Sequence, residues 1–303
     1  MREIIEKIEY LKKKKNAIVL AHTYQLPEIQ DIADFVGDSL DLSKKAANTE
    51  SSIIVFCGVH FMAETASILN PQKKVLLPDL NAGCPMADMV NVDDLIKFKN
   101  KFKNPVVVSY VNTTALVKAE SYICCTSANA VNVVKSIAQE GDIIFVPDRN
   151  LGDYVQKKSG VELNIWNGFC PTHNNFILPE VILKAKTEHP AAKVLVHPEC
   201  RYKTIELADE VMSTGMMCRY VKKSDNKEFI IGTETGILHK LKKDNPDKQF
   251  YPAIKESVCP NMKKITIEKV LDVLTNETNV VSISEEIRQK AIFPIKKMLD
   301  VWS

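Results

Sequence analysis

Apolar positions along the chain fall into two alternating rhythms. Three short runs, AIVLAH from 17, PVVVSY from 105 and KVLVH from 193, are apolar or β-branched at nearly every position. That is the pattern of a parallel strand covered on both faces. Each is preceded by a stretch with apolar residues three or four apart (IIEKIEYLKKKK, VDDLIKFKNKFK, LPEVILKAKTEH), which predicts an amphipathic helix. A second apolar run follows each time (SIIVFCGV, DIIFVPDRN, EFIIGTETG), then another helical pattern and a third short strand (KVLLPD, VELNIW, QFYPAI). The unit α-β-α-β-α-β recurs roughly every 87 residues. Such alternation predicts an α/β protein: three homologous three-layer αβα units with parallel sheets, in pseudo-threefold arrangement around a central site. The units are expected at 1–83, 84–169 and 170–259. Residues 260–303 add a helix (ITIEKVLDVLTN), a strand (VVSIS) and a last helix, expected to pack back on the first unit.

The repeat also aligns residues that carry chemistry. The first strands end at His22, Tyr110 and His197, and two residues on stand Tyr24, Asn112 and Glu199. Alternation puts both members of each pair on one side of the chain. Seventeen residues beyond each strand end comes a hydroxyl at an expected helix start: Ser39, Ser127, and Thr214 beside Ser213. After the third strand of each repeat comes a loop with a cysteine followed by proline: Cys84, Cys170 and Cys259. Singly, a strand-end histidine is ordinarily structural and a helix-start serine ordinarily a cap. In α/β sheets, however, ligands gather at the carboxyl ends of the strands, and three units facing inward bring all these residues to one cavity. The set supplies acid, base and carboxylate donors, with Glu199 as the candidate base and Tyr24 as a proton carrier near it. Three helix starts suit a ligand with about three anionic groups.

Composition narrows the partners. The chain is 45% hydrophobic and 26% charged, with a net charge of +2, and nothing in this balance calls for nucleic acid or an anionic membrane. The lysine clusters at 12–15 and 97–103 fall on expected helices as solvated faces. Apolar runs reach about six residues, far short of the roughly 18 of a membrane span. The N-terminus has helical periodicity without the apolar segment of a secretory signal, so a cytoplasmic location is expected. Eight cysteines in such a chain are not a disulfide framework, and none forms a CxxC pair. Any metal must be held by ligands distant in sequence. Three converging thiolates leave one coordination position open, which suits catalytic zinc or a [4Fe–4S] cluster with one iron free for substrate. Ligand softness favours iron and sulfur; spacing leaves both open.

Several stretches resemble the quinolinate synthase family: AHTYQLPEIQDIADFVGDSL, YVNTTA, CTSANAV, PDRNLG, HPEC, STGM and GTETG. The resemblance covers essentially the whole chain. It implies an iron–sulfur transferase of NAD biosynthesis that condenses iminoaspartate with dihydroxyacetone phosphate, releasing phosphate and two waters. It also implies a [4Fe–4S] cluster on Cys84, Cys170 and Cys259, with ligand contacts from His22, Tyr24, Ser39, Tyr110, Asn112, Ser127, His197, Glu199, Ser213 and Thr214. Catalytic roles fall on Glu199, Tyr24, His22 and Tyr110. An aspartate-oxidising enzyme is the candidate supplier of the imine. Thr23 stands where many members have Asn, and the cysteine-rich C-terminal motif of some members is reduced here to Cys259. His173 adjoins a cluster ligand and is a candidate to touch it. The remaining cysteines, Cys57, Cys124, Cys125, Cys200 and Cys218, receive no ligand role. Two alternatives use the same residues: a cluster-dependent hydro-lyase acting on a hydroxy-dicarboxylate, and a non-catalytic iron–sulfur sensor that binds a dicarboxylate.

Overall fold

A computed structural model describes residues 1–301. Its strands are β1 (Ala17–His22), β2 (Phe35–Gly37), β3 (Ile53–Cys57), β4 (Lys74–Leu76), β5 (Pro105–Tyr110), β6 (Ile123–Cys125), β7 (Asp142–Val146), β8 (Asn164–Ile165), β9 (Lys193–Val196), β10 (Glu210–Val211), β11 (Glu228–Gly232) and β12 (Gln249–Pro252). They form three separate four-stranded sheets, ordered β2-β1-β3-β4, β6-β5-β7-β8 and β10-β9-β11-β12. Every strand pairing within the sheets is parallel, and each unit repeats one topology. The apolar runs that announce β1, β5 and β9 are buried beyond their first residue, as two-sided coverage by helices requires.

Each sheet has one strand more than the sequence pattern predicts. β2, β6 and β10 are only two or three residues long, too short to show a period of two. Each lies on one edge beside the first strand, so the strand order reverses between the first strand and its second neighbour. That reversal opens a crevice at the carboxyl ends, where ligands bind in sheets of this order.

The tail departs from expectation in one element. The helix Ile267–Asn276 packs on the helix Arg2–Lys14 of the first unit, whereas the helix Glu285–Asp300 lies mainly against Ala115–Ala119 and β6 of the second. The expected strand VVSIS is not one: Val281 N–H donates to the Val75 carbonyl and Leu77 N–H to that of Asn279, with a single antiparallel bridge between Leu76 and Val280. Glu277 and Asn279, just ahead of it, adopt left-handed conformations (φ 54° and 56°), which turn the chain immediately before Val280.

Candidate active site

The carboxyl ends of β1, β5 and β9 face one cavity of about 140 Å³. Its wall contains all three Cys-Pro cysteines together with His22, Tyr24, Ser39, Tyr110, Asn112, Ser127, His197, Glu199 and Thr214. Residues from all three units therefore meet in one place.

Two of the strand ends share a local device. The Tyr24 N–H donates to His22 Nδ1 at 3.1 Å, and the Glu199 N–H donates to His197 Nδ1 at 3.3 Å. A backbone amide only donates, so Nδ1 is the bare nitrogen of each ring and Nε2 carries the hydrogen. Burial holds both imidazoles neutral, His22 at about 4 and His197 at about 3, although Asp38 and Glu199 pull them upward. Two neutral N–H donors result; that of His197 meets Ser127 Oγ at 3.2 Å. Burial likewise raises the Tyr24 and Tyr110 phenols well above their ordinary values, so both are protonated.

Glu199 sits at the centre, 3% exposed. Burial pushes its carboxyl up, but His173 and a hydrogen bond from Tyr110 prevail and keep it below the usual carboxylate range. Tyr110 Oη donates to Glu199 Oε1 at 2.5 Å, and His173 Nδ1 lies 2.7 Å from Oε2. On its other side His173 Nε2 is 2.8 Å from Thr233 Oγ1, which lies 2.5 Å from Tyr24 Oη. A continuous hydrogen-bonded path thus runs Tyr110–Glu199–His173–Thr233–Tyr24. His173 also stacks on His197, with ring centroids 4.6 Å apart.

The three cysteines share a second device. The carbonyls of Cys84, Cys170 and Cys259 accept from the amides of Asp88, Asn174 and Lys263 at 3.2, 2.8 and 3.4 Å. Each cysteine therefore opens a helical turn, and the proline after it takes the first position, where a missing N–H costs nothing. The amide three residues on (Ala87, His173, Met262) faces each sulfur and favours its thiolate. Burial outweighs this and raises all three thiols, Cys84 to about 12. Thiolates in so dry a site require a cation, and three of them with backbone donors behind them fit an iron–sulfur centre by ligand type. A different trio, Cys170, His173 and Glu199, also brings its ligand atoms within 4.8 Å of one another. Both nitrogens of His173 are already engaged by Glu199 and Thr233, so this trio is better described as part of the hydrogen-bonded path.

The helix-start residues need correction. In the first unit the cap is Asp38, which accepts from the amides of Leu40 and Asp41, and Ser39 is the first helical residue. Asp38 outcompetes Ser39 because its Oδ1 accepts both amides at 3.0 Å while Oδ2 stays free for the third unit. In the second, the helix starts after Asn129, and Ser127 stands in the preceding turn. In the third, Ser213 is the cap and Thr214 the first helical residue. Ser213 is fully buried, lies off the cavity wall, and donates to Asp38 Oδ2 at 2.9 Å. Gly215 N–H donates to the same oxygen, and a Cβ there would stand 2.5 Å from it, which explains the glycine of STGM. Ser213 thus joins the first and third units, while Ser39, Ser127 and Thr214 face the cavity. Asn112 Oδ1 is buried without a partner, an acceptor left for a ligand.

Sequence reasoning assigned no role to Asp38, Thr233, Glu234 or Asp148, although each falls inside a quoted stretch. Asp148 and Glu234 stand two residues beyond β7 and β11, and accept the amides of Cys170 and Cys259 at 2.9 and 3.2 Å. Position after a strand end was the available signal. The other five cysteines lie elsewhere, four of them fully buried and Cys218 partly so.

The chain matches the model of the family described as "Quinolinate synthetase A protein" over residues 6–300. It is 55% identical over 300 residues to the quinolinate synthase of Thermodesulfovibrio yellowstonii, covering 99% of this chain and 98% of that one. The corresponding protein of Desulforudis audaxviator is 56% identical over 297 residues, covering 98% of each. That of Methanosarcina barkeri is 52% identical over 299 residues, covering 99% and 98%. Among the described residues no helix is long and apolar enough to cross a membrane. Family model, relatives and a cavity uniting three cysteines with three strand ends agree: the chain belongs to the quinolinate synthase family.

Proposed function

We propose that this chain condenses iminoaspartate with dihydroxyacetone phosphate to quinolinate, releasing phosphate and two waters, at a [4Fe–4S] cluster held by Cys84, Cys170 and Cys259. The observation that carries it is the single cavity that gathers those thiols and the polar strand ends of all three units. Such a cluster supplies an open iron able to act as a Lewis acid on a substrate hydroxyl or carboxylate.

The protein's own groups do the rest. The Nε2–H groups of His22 and His197 and the Asn112 amide bind carboxylates, Tyr110 holds Glu199 with its one hydroxyl hydrogen, and Ser39, Ser127 and Thr214 add hydroxyl donors near helix starts. Glu199, ionised and hydrogen-bonded to Tyr110, accepts a proton; His173 and Thr233 connect it with Tyr24, which returns one. Apolar walls from Val59, Phe61, Met62 and Met262 limit water, to which the imine would be lost. A sensor that turned nothing over would have no use for the path from Glu199 to Tyr24.

Units bounded at 1–83, 84–169 and 170–259, with 260–303 as a closing segment, are the working division. A cytoplasmic enzyme receiving its imine from an aspartate-oxidising partner completes the proposal. The test is anaerobic purification with iron and sulfide counts, then incubation with both substrates and assay for quinolinate. A fully loaded cluster that yields quinolinate supports the proposal; one that yields none defeats it.

A further inference from the structure

Beside the cysteine of the third unit lies an ion pair that the reaction as proposed does not use. Glu234, 0% exposed, meets Lys263 with Oε1 2.9 Å from Nζ. The same Oε1 accepts the amide of Cys259 at 3.2 Å, and Oε2 accepts that of Gly236 at 2.7 Å. Lys263 belongs to the turn that Cys259 opens, its own amide donating to the Cys259 carbonyl at 3.4 Å. Its Nζ donates in addition to the backbone carbonyl of Tyr24, in the first unit. One ion pair, its carboxylate buried and its lysine partly so, therefore grips the Cys259 loop from two sides and reaches the chain that carries Tyr24.

The fit around the pair is tight. A Cβ on Gly236 would stand 2.8 Å from Glu234 Oε2, from Lys263 Nζ and from the Tyr24 carbonyl carbon, so only glycine fits there. The second unit offers an internal control. Asp148, also 0% exposed, accepts the Cys170 amide with Oδ2 at 2.9 Å, while its Oδ1 accepts from Leu151 in its own helix. None of the hydrogen bonds found for Asp148 reaches the first unit. The first unit has Val59 at the matching place.

We propose that Glu234 and Lys263 are positioning residues that hold the Cys259 ligand loop and the Tyr24 backbone in one fixed relation, so that the metal centre and the substrate side of the cavity are set together. The proposal rests on the assignment of Cys84, Cys170 and Cys259 as cluster ligands. Partners behind metal ligands typically contribute about 10–100-fold to metal retention or activity.

The experiment compares Lys263→Gln and Asp148→Asn with the unaltered protein, each loaded anaerobically. Two quantities are read: the rate of iron release to a chelator, and the affinity for quinolinate by anaerobic calorimetry. Lys263→Gln keeps a donor of similar length without the charge. It should release iron about 10–100-fold faster and bind quinolinate at least several-fold more weakly. Lys263→Arg, which keeps the charge, should recover much of both. Asp148→Asn should speed iron release alone. Loaded Lys263→Gln protein with unchanged release and unchanged affinity overturns the proposal, as does an Asp148→Asn variant that weakens quinolinate to the same degree. Should Lys263→Gln not fold, by circular dichroism, Glu234→Gln is read the same way, since its amide keeps an oxygen for the Cys259 N–H. Unaltered protein that takes up no iron or sulfide defeats the ligand assignment, and this proposal with it.

Discussion

The two halves of the cavity wall have treated the same threefold repeat in opposite ways. On the cysteine side the units agree: each has Cys-Pro, a carbonyl accepting from the amide four residues on, and an amide facing the sulfur. On the strand-end side they differ: His22 with Tyr24, Tyr110 with Asn112, His197 with Glu199. A centre bound by three thiolates needs the same geometry three times, whereas two unlike substrates and a directed proton transfer need different groups at each position. Sameness on one wall and divergence on the other divide holding from chemistry.

The sharpest break should come from the uniform wall. Replacing Cys84, Cys170 or Cys259 by Ala should abolish the visible absorbance of the cluster, since thiolates hold the irons. Changing Cys57, Cys124, Cys125, Cys200 or Cys218 should leave it. Loss of absorbance from the Cys125→Ala change alone, with intact circular dichroism, would show the ligand set to be wrong.

The divergent wall should break chemistry without breaking the cluster. Glu199→Gln keeps size and an acceptor for Tyr110 but removes the carboxylate, and turnover should fall by about 10²–10⁴-fold with iron and sulfide content unchanged. Tyr24→Phe should cost less. The double change should be clearly less than additive, because both groups lie on the path through His173 and Thr233. Single-turnover quinolinate formation measures both; a near-normal rate for Glu199→Gln would move the base to another residue.

How much of this could be read beforehand follows the same division. The strands β1, β5 and β9 were legible because burial on both faces demands unbroken apolar runs, and the cysteines because a repeat marks them three times. β2, β6 and β10 were not, since a two- or three-residue edge strand leaves no period. Helix caps are ambiguous where neighbours compete: GDSL offers both Asp38 and Ser39, and only the folded chain brings Asp38 to two amides. Nor does any local pattern reveal pairings across units, such as Asp38 with Ser213 or Lys263 with Tyr24.

Acid should expose the neutral histidines of the divergent wall. His22 binds its proton at about 4 in the folded protein because it is buried, against roughly 6.5 when unfolded. Between these values the unfolded chain takes up a proton that the native one refuses, so stability is lost as pH falls through that window and regained as it rises. Full loss for His22 is on the order of 3 kcal/mol, and His197 acts in the same direction. Melts of the metal-free protein between about pH 7 and pH 5 should show Tm falling, and His22→Asn should flatten that slope. An unchanged slope would mean His22 binds its proton in the fold as readily as in the unfolded chain.

The smallest effect separates two serines that the repeat makes look alike. Ser213 accepts from the Met216 amide as a helix cap and donates to buried Asp38, 175 positions away in the chain. Ser213→Ala removes a cap at a cost of about 1 kcal/mol and leaves one oxygen of Asp38 short of a donor, at a further cost of about 1 kcal/mol or more. Gly215 still donates to that oxygen, which limits the loss. The protein should therefore melt a few degrees lower while quinolinate affinity changes little. Ser127 faces the cavity, where its hydroxyl meets His197 Nε2 and the Tyr110 hydroxyl. Ser127→Ala should leave the melt nearly unchanged and weaken quinolinate by roughly 10–150-fold, the 1.5–3 kcal/mol of a hydrogen bond to a charged group. Calorimetric melts and titrations on the two variants test the pair together. If Ser213→Ala weakens binding and Ser127→Ala lowers the melt, the roles have been assigned the wrong way round, and the helix starts bind the ligand through their caps.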